Sequence, residues 1–185
     1  MDQPPKHPSP PAIPPIGIVV SRYNTPLTER LLAGAREAYA QRGGDPETLG
    51  VIEAPGAFEL AALCLAAAHA GLYEGLVALG CVIRGQTDHD RYIASAIAHG
   101  LVDVTLQTGV PVSFGVITAS NDEQAAARAG GDKGNKGTEA MAAVLDTIAS
   151  AREIARAADR RDPAGVRPVI TRQIAKLGRG PGAVL

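Results

Sequence analysis

Tryptophan is absent, and two phenylalanines with four tyrosines make up only 3 % of the chain. A core without large rings must be filled by aliphatic side chains. At 45 % hydrophobic residues, many of them alanine, there is enough for a sizeable one. Each of the few aromatics is therefore a candidate for work other than packing. Cysteine occurs only twice, as Cys64 and Cys81, both inside apolar runs. Buried free thiols in a reducing compartment suit that placement better than a disulfide. An excess of charge is lacking too: a net charge of −1 leaves the whole protein without an electrostatic footprint for nucleic acid. No apolar run approaches the roughly 20 residues of a membrane span, and the N-terminus carries no signal-peptide apolar region. These absences predict a soluble cytoplasmic protein with no nucleic acid and no membrane among its partners. Nucleotide motifs are missing as well. No G-x-G-x-x-G follows the first strand, and GGDKGNKG (130–137) fails the G-x-x-x-x-G-K-[ST] spacing at its second glycine.

What is present fits one domain with two tails in 185 residues. Residues 1–15 hold seven of the 14 prolines. Such a segment cannot donate a ladder of backbone hydrogen bonds and is expected to be a mobile arm. From residue 16 to 158 strands and helices alternate. IGIVVS (16–21) is a β-branched strand, and Thr25-Pro26 opens a helix with Leu27, Leu31 and Ala35 on one face, stopped by Gly43-Gly44. LGVIEAPG (49–56) predicts a second strand, and AFELAALCLAAAHA a helix ending at Gly71. EGLVALGCVIRG (74–85) is apolar on both faces and so central in a parallel sheet. Thr87 or Asp88 is the expected cap of a helix striped by Ile93, Ile97, Leu101 and Val104. VPVSFGVITAS (110–120) is the fourth strand, and Asn121 or Asp122 caps a short helix. The glycines of GGDKGNKG predict a kink before a long helix from about Thr138 to Ala158. The last stretch, 159–185, has six basic and two acidic residues and predicts a flexible basic tail, with acid-surface binding as the sharper alternative. This order gives a three-layer αβα sandwich around a central four-stranded parallel sheet.

Parallel sheets bind ligands beyond the carboxyl ends of their strands. Four such ends carry polar or aromatic residues: SRYN (21–24), APGAFE (54–59), IRGQTDH (83–89) and TASND (118–122). Gly85-Gln86-Thr87 leads into a helix N-terminus, where free N–H groups and the helix dipole favour an anion. One turn on stands His89, the one histidine of four in such a loop; His7 is in the arm, and His69 and His99 fall near predicted helix ends. An imidazole is the side chain best suited to proton transfer at neutral pH. Asp88-His89-Asp90 are all metal-ligand types, but adjacent side chains at a helix start diverge and no second cluster accompanies them. Cys81 lies inside an apolar strand away from any helix dipole and is expected to be an inert thiol.

SRYN, APGAFEL, ALGCVIRGQTDHDRYI, PVSFGVIT, EQAAARAG and GNKGTEAM, in that order, resemble the lumazine synthase family. The resemblance spans about residues 16 to 158. It implies a flavodoxin-like fold and a transferase of riboflavin biosynthesis that uses no metal or organic cofactor. Two small-molecule substrates, 5-amino-6-ribitylaminouracil and 3,4-dihydroxy-2-butanone 4-phosphate, would condense with loss of phosphate and water. On this resemblance Tyr23 stacks on the pyrimidine ring, and Asn24 beside it is among the contacts to the ribitylaminouracil. Ala57, Phe58 and Glu59 hold the ribityl chain, and Cys81, Val82 and Ile83 line the ring pocket. Gln86, Thr87 and Arg128 bind phosphate with Gly85 in support, and His89 relays protons. Phe114 reaches in from a neighbouring subunit, and Lys136 and Glu139 support the same boundary. The implied assembly is a homo-oligomer of pentamers, and the compact 130–137 segment favours a shell of 60 subunits, with riboflavin synthase as a candidate partner. A flavin-binding or shell-forming relative with little turnover is the alternative. Three positions depart from the family pattern: Ala54 and Ala61 replace commoner Val and Pro, and Tyr23 stands where Phe is common.

Overall fold

A computed structural model of the protein describes residues 13–159. The expectations of a mobile arm, up to residue 12, and of a flexible basic tail, from residue 160, lie outside the described residues. The chain falls into two compact units, Met1–Ile148 and Ala149–Leu185. The first unit carries the sheet.

Four strands, β1 (Ile16–Ser21), β2 (Gly50–Ala54), β3 (Gly75–Ile83) and β4 (Val112–Ala119), pair in parallel in the order β2-β1-β3-β4. Both faces of β3 are buried, as its unbroken apolar run predicts. Alternation then divides the core in two. Val77, Leu79 and Cys81 join Ile18, Val20 and Ile117 under α1 (Thr25–Gln41) and α5 (Lys136–Asp159), packing on Leu31, Met141 and Val144. Leu76, Ala78 and Val82 join Val19 and Val116 under α2 (Leu60–His69) and α3 (His89–Thr108), packing on Leu60, Cys64, Ile97 and Leu101. No aromatic ring fills either centre except Tyr39, whose hydroxyl donates to the Pro14 carbonyl at 3.0 Å. That bond, with Glu74 N–H donating to the Pro15 carbonyl at 2.9 Å, ties residues 14 and 15 to the domain. Pro14 and Pro15, expected within the arm, thus bond to the domain.

Other expectations are corrected. GGDKGNKG does not kink a helix. After α4 (Asp122–Arg128), β5 (Ala129–Gly131) and β6 (Gly134–Asn135) form a small antiparallel hairpin, with Gly130 and Gly134 at positive φ. Asn135 explains the tight turn into α5. Its Oδ1 accepts from the Gly137 and Thr138 amides at 2.8 and 3.3 Å, and its Nδ2 donates to the Arg30 carbonyl on α1 at 2.8 Å. Helix α5 thus begins at Lys136 rather than Thr138. Helix α2 begins at Leu60, leaving Ala57, Phe58 and Glu59 in a turn. Asp88 precedes α3, but neither it nor Thr87 caps the helix with a side-chain bond. His99 is in the middle of α3 and not near its end. Among the described residues no helix is long and apolar enough to cross a membrane.

Candidate active site at the carboxyl edge of the sheet

The strand order reverses direction beside β1. The chain moves from β1 to β2 on one side and then to β3 on the other, which makes the carboxyl ends of β1 and β3 the switch point at which such sheets bind ligands. The loop after β1 supplies Tyr23 and Asn24. Ser21 is buried, and its hydroxyl accepts from the Tyr23 amide at 3.1 Å, while Arg22 N–H continues the ladder to the Ala54 carbonyl at 2.8 Å. Asn24 adopts φ 62°, the left-handed region that asparagine tolerates, and its Nδ2 donates to the Cys81 carbonyl at 3.0 Å. The side-chain amide expected among the substrate contacts therefore also ties the β1 loop to β3. Tyr23 projects beyond it, 70 % exposed.

The turn before α2 presents Phe58, 62 % exposed, and the exposed Glu59 carboxylate, with Ala57 half-buried between them and the core. An apolar core of aliphatic residues has left two of the chain's six rings in water at one sheet edge. Flat apolar faces held out this way suit stacking on a planar ligand.

From β3 the backbone runs through Ile83, Arg84, Gly85, Gln86 and Thr87 into α3. The side chains of Cys81 and Val82 are buried in the two cores, so what they offer a ring pocket is backbone; Ile83 is half-buried. Burial pushes the Cys81 thiol up to about 11, with Asp122 adding to the rise, and burial alone pushes Cys64 up to about 12. Both thiols are free and protonated at neutral pH, which for Cys81 is the inert state expected of a thiol in an apolar strand.

His89 is the first residue of the 20-residue α3. Its Nδ1 lies 2.7 Å from the Thr87 hydroxyl, with both side chains exposed. The pair fixes the orientation of the ring, and which partner donates follows the tautomer. Gly85 makes room for this arrangement: a Cβ there would lie 2.8 Å from His89 Cε1. Nothing in the sequence singled out that contact, because it depends on a ring folding back from the next turn. Unpaired amides and the positive end of α3 favour an anion beside Gln86 and Thr87.

The remaining expected site residues stand elsewhere. Phe114, 37 % exposed, is paired opposite Ala78, five residues before Ala119 at the end of β4. At about 3.3 Å per residue it is roughly 17 Å short of the edge. Arg128 ends α4 and donates to the Gln124 carbonyl at 3.0 Å; it is exposed. Lys136 and Glu139 pair at 2.7 Å on the first turn of α5. Helix α4 packs against β3 and β4, and the hairpin packs against α1. One chain therefore sets Tyr23, Asn24, residues 57–59, 81–83 and 85–89 at neighbouring strand ends, whereas Phe114 lies back along β4 and Arg128, Lys136 and Glu139 bond within their own helices. Among the described residues no three His, Cys, Asp or Glu side chains form a metal-binding group.

A family model described as 6,7-dimethyl-8-ribityllumazine synthase matches residues 14–152. The protein called 6,7-dimethyl-8-ribityllumazine synthase in Nitratidesulfovibrio vulgaris (strain DP4) is 44 % identical over 131 residues, covering 71 % of this chain and 84 % of its own. The one from Nautilia profundicola is 42 % identical over 139 residues, covering 75 % and 90 %. The 6,7-dimethyl-8-ribityllumazine synthase 1 of Caulobacter vibrioides is 45 % identical over 144 residues, covering 78 % and 94 %.

Proposed function

Because the chain belongs to the 6,7-dimethyl-8-ribityllumazine synthase family, we propose that the switch point at the carboxyl ends of β1 and β3 is its active site and that a second copy of the chain completes it. The protein is a transferase-type enzyme. It condenses 5-amino-6-ribitylaminouracil with 3,4-dihydroxy-2-butanone 4-phosphate to 6,7-dimethyl-8-ribityllumazine, with loss of phosphate and water. The observation that carries the site is the Thr87–His89 pair at the start of α3, set beside two rings held out in water.

The chemistry follows from that placement. Tyr23 and Phe58 offer flat faces to the pyrimidine, and the Glu59 carboxylate accepts hydrogen bonds from the ribityl hydroxyls. The four-carbon phosphate lies at the N-terminus of α3, on Gln86 and Thr87. Imine formation needs a proton moved from the attacking amine to the departing water. Elimination of phosphate needs one taken from carbon, and His89 serves as acid and base for both. Holding two reactants in register supplies much of the rate, because it replaces a collision by a unimolecular step.

Phe114 and Arg128 complete the site only if they come from a neighbour. A repeated head-to-tail contact closes into a ring, which we take to be a pentamer. Tyr92, Val102 and Leu106, exposed along one side of α3, give such a contact apolar area. The hairpin at 129–135 turns without extra residues to splay α4 from α5, which supports closure of pentamers into a 60-subunit shell. Its location would be the cytoplasm, with riboflavin synthase as a candidate partner. The alternative, a flavin-binding relative with little turnover, is disfavoured by the joint presence of Thr87, His89 and Arg128. Analytical ultracentrifugation combined with a condensation assay tests this reading. A particle of about 95 kDa, five times 19.0 kDa, would remove the shell, and an active species of 19.0 kDa would remove the shared site.

A further inference from the structure

Gly56 stands in the turn between β2 and α2, half-buried, and does not adopt a positive φ. A glycine loses more chain entropy on folding than alanine does, so one that the backbone does not require needs another reason. The space beside it supplies one. A Cβ at Gly56 would lie 2.9 Å from Glu59 Oε2, closer than real contacts come, and apart from its chain neighbours it would meet no other heavy atom within 4 Å. The turn brings the two residues together. Leu60 N–H donates to the Ala57 carbonyl at 3.3 Å and Leu63 N–H to the Glu59 carbonyl at 3.1 Å, which winds the chain into α2. Residues three apart at such an entry face each other. The Glu59 side chain therefore folds back over the bare Cα of Gly56. Glu59 heads α2 without a side-chain capping bond, and none of the ion pairs among the described residues uses its carboxylate. Its oxygens are exposed and open to a ligand.

We propose that Gly56 is a positioning residue for substrate recognition: by lacking a Cβ it lets Glu59 set its carboxylate where the ribityl hydroxyls reach it. This rests on the reading of Glu59 as the acceptor for the ribityl chain. An ionised carboxylate only accepts, and its hydrogen bonds weaken steeply once distance and angle leave their narrow range. With alanine at position 56 the carboxylate must retreat by roughly 0.6 Å or more to reach an ordinary contact of about 3.5 Å. The clashing atom is the far end of a flexible side chain, so a change of rotamer relieves it and the backbone stays in place. Tyr23 and the N-terminus of α3 follow other strands, so the change falls on the ribityl half of the site alone. Gly85 stands in the same relation to His89, with a Cβ 2.8 Å from its ring. At two strand ends, then, a glycine makes room for a functional side chain that follows it.

Steady-state kinetics of the assembled enzyme, varying each substrate in turn, tests this with 5-amino-6-ribitylaminouracil and with an analogue carrying a pentyl chain in place of ribityl. Glu59→Ala should raise KM for the ribityl substrate about ten- to hundredfold, and Gly56→Ala about tenfold within that bound. In Gly56→Ala the KM for the four-carbon phosphate should match the wild type, and the melting temperature should not fall. The pentyl analogue, which has no hydroxyls to donate, should not distinguish Gly56→Ala from the wild type. The Gly56→Ala/Glu59→Ala double variant should be no worse than Glu59→Ala, because both act through one carboxylate. Additive losses would show that the ligand approaches the Gly56 backbone directly, and would overturn the proposal. A loss shared by the pentyl analogue overturns it as well, and a lower melting temperature would assign Gly56 to the fold instead. An unchanged KM in Gly56→Ala beside a raised one in Glu59→Ala removes the proposal and leaves the reading of Glu59 standing. A wild-type KM in Glu59→Ala removes both.

Discussion

Replacing Gly85 by alanine separates catalysis from stability. The added Cβ would meet His89 Cε1 at 2.8 Å, closer than real contacts allow, and the imidazole is a mobile ring rather than backbone. The ring therefore swings away, and the 2.7 Å bond between Thr87 and Nδ1 is lost. A neutral hydrogen bond contributes about 1 kcal/mol, so the smallest expected loss of turnover is about fivefold. The largest equals that of His89→Ala, for which general acid–base contributions of roughly 10²–10⁴-fold set the bound; the lower end is expected, because an aryl diamine forms imines readily. Stability should move the other way. Gly85 is exposed and does not adopt a positive φ, so alanine should raise stability by about 0.4–1 kcal/mol through the unfolded chain. Turnover at saturating levels of both substrates, set beside thermal melts, gives both quantities. The Gly85→Ala/His89→Ala double variant should be no slower than His89→Ala alone, since both act through one ring. Full turnover in Gly85→Ala, or additive losses in the double variant, would refute a positioning role for this glycine.

Arg128→Ala should raise the requirement for the four-carbon phosphate by about ten- to hundredfold and that for the ribitylaminouracil much less; equal effects on the two KM values would assign Arg128 to the whole pocket. Gly137→Ala should destabilise the fold by about 1–3 kcal/mol in chemical denaturation, because its Cβ would run into the Leu31 carbonyl on α1, and unchanged stability would contradict that close approach. The two raised thiol pKa values predict a stability that is whole below the ordinary thiol pKa near 8.5. It then declines toward pH 11–12 at up to about 1.4 kcal/mol per unit per thiol, since the unfolded chain releases the proton first. Cys64→Ala should flatten that decline, and a thiol reagent at neutral pH should label neither cysteine until the protein unfolds.

Strand positions, the stripe of α3 and the four-strand sandwich follow from local sequence, because periodicity and β-branched runs act over a few residues. The polar burst after β3 likewise marked the carboxyl edge, since an apolar strand buried on both faces can afford polar groups only where it ends. That Tyr23, Phe58, Thr87 and His89 follow strand ends was legible in the same way. The glycine run at 130–137 was not: whether glycines kink a helix or turn a hairpin depends on Asn135 reaching the Arg30 carbonyl, a partner 105 residues away. Asn24 binding the Cys81 carbonyl and Gly85 yielding space to His89 are hidden in the same way. The distance of Phe114 from the strand ends was also a matter of register, which only the paired sheet sets. Sequence determined which groups are polar, apolar or ring-shaped along each element, because those properties belong to single residues. Tertiary structure decided which of them meet, because contacts between distant residues exist only once the sheet has brought its strand ends together.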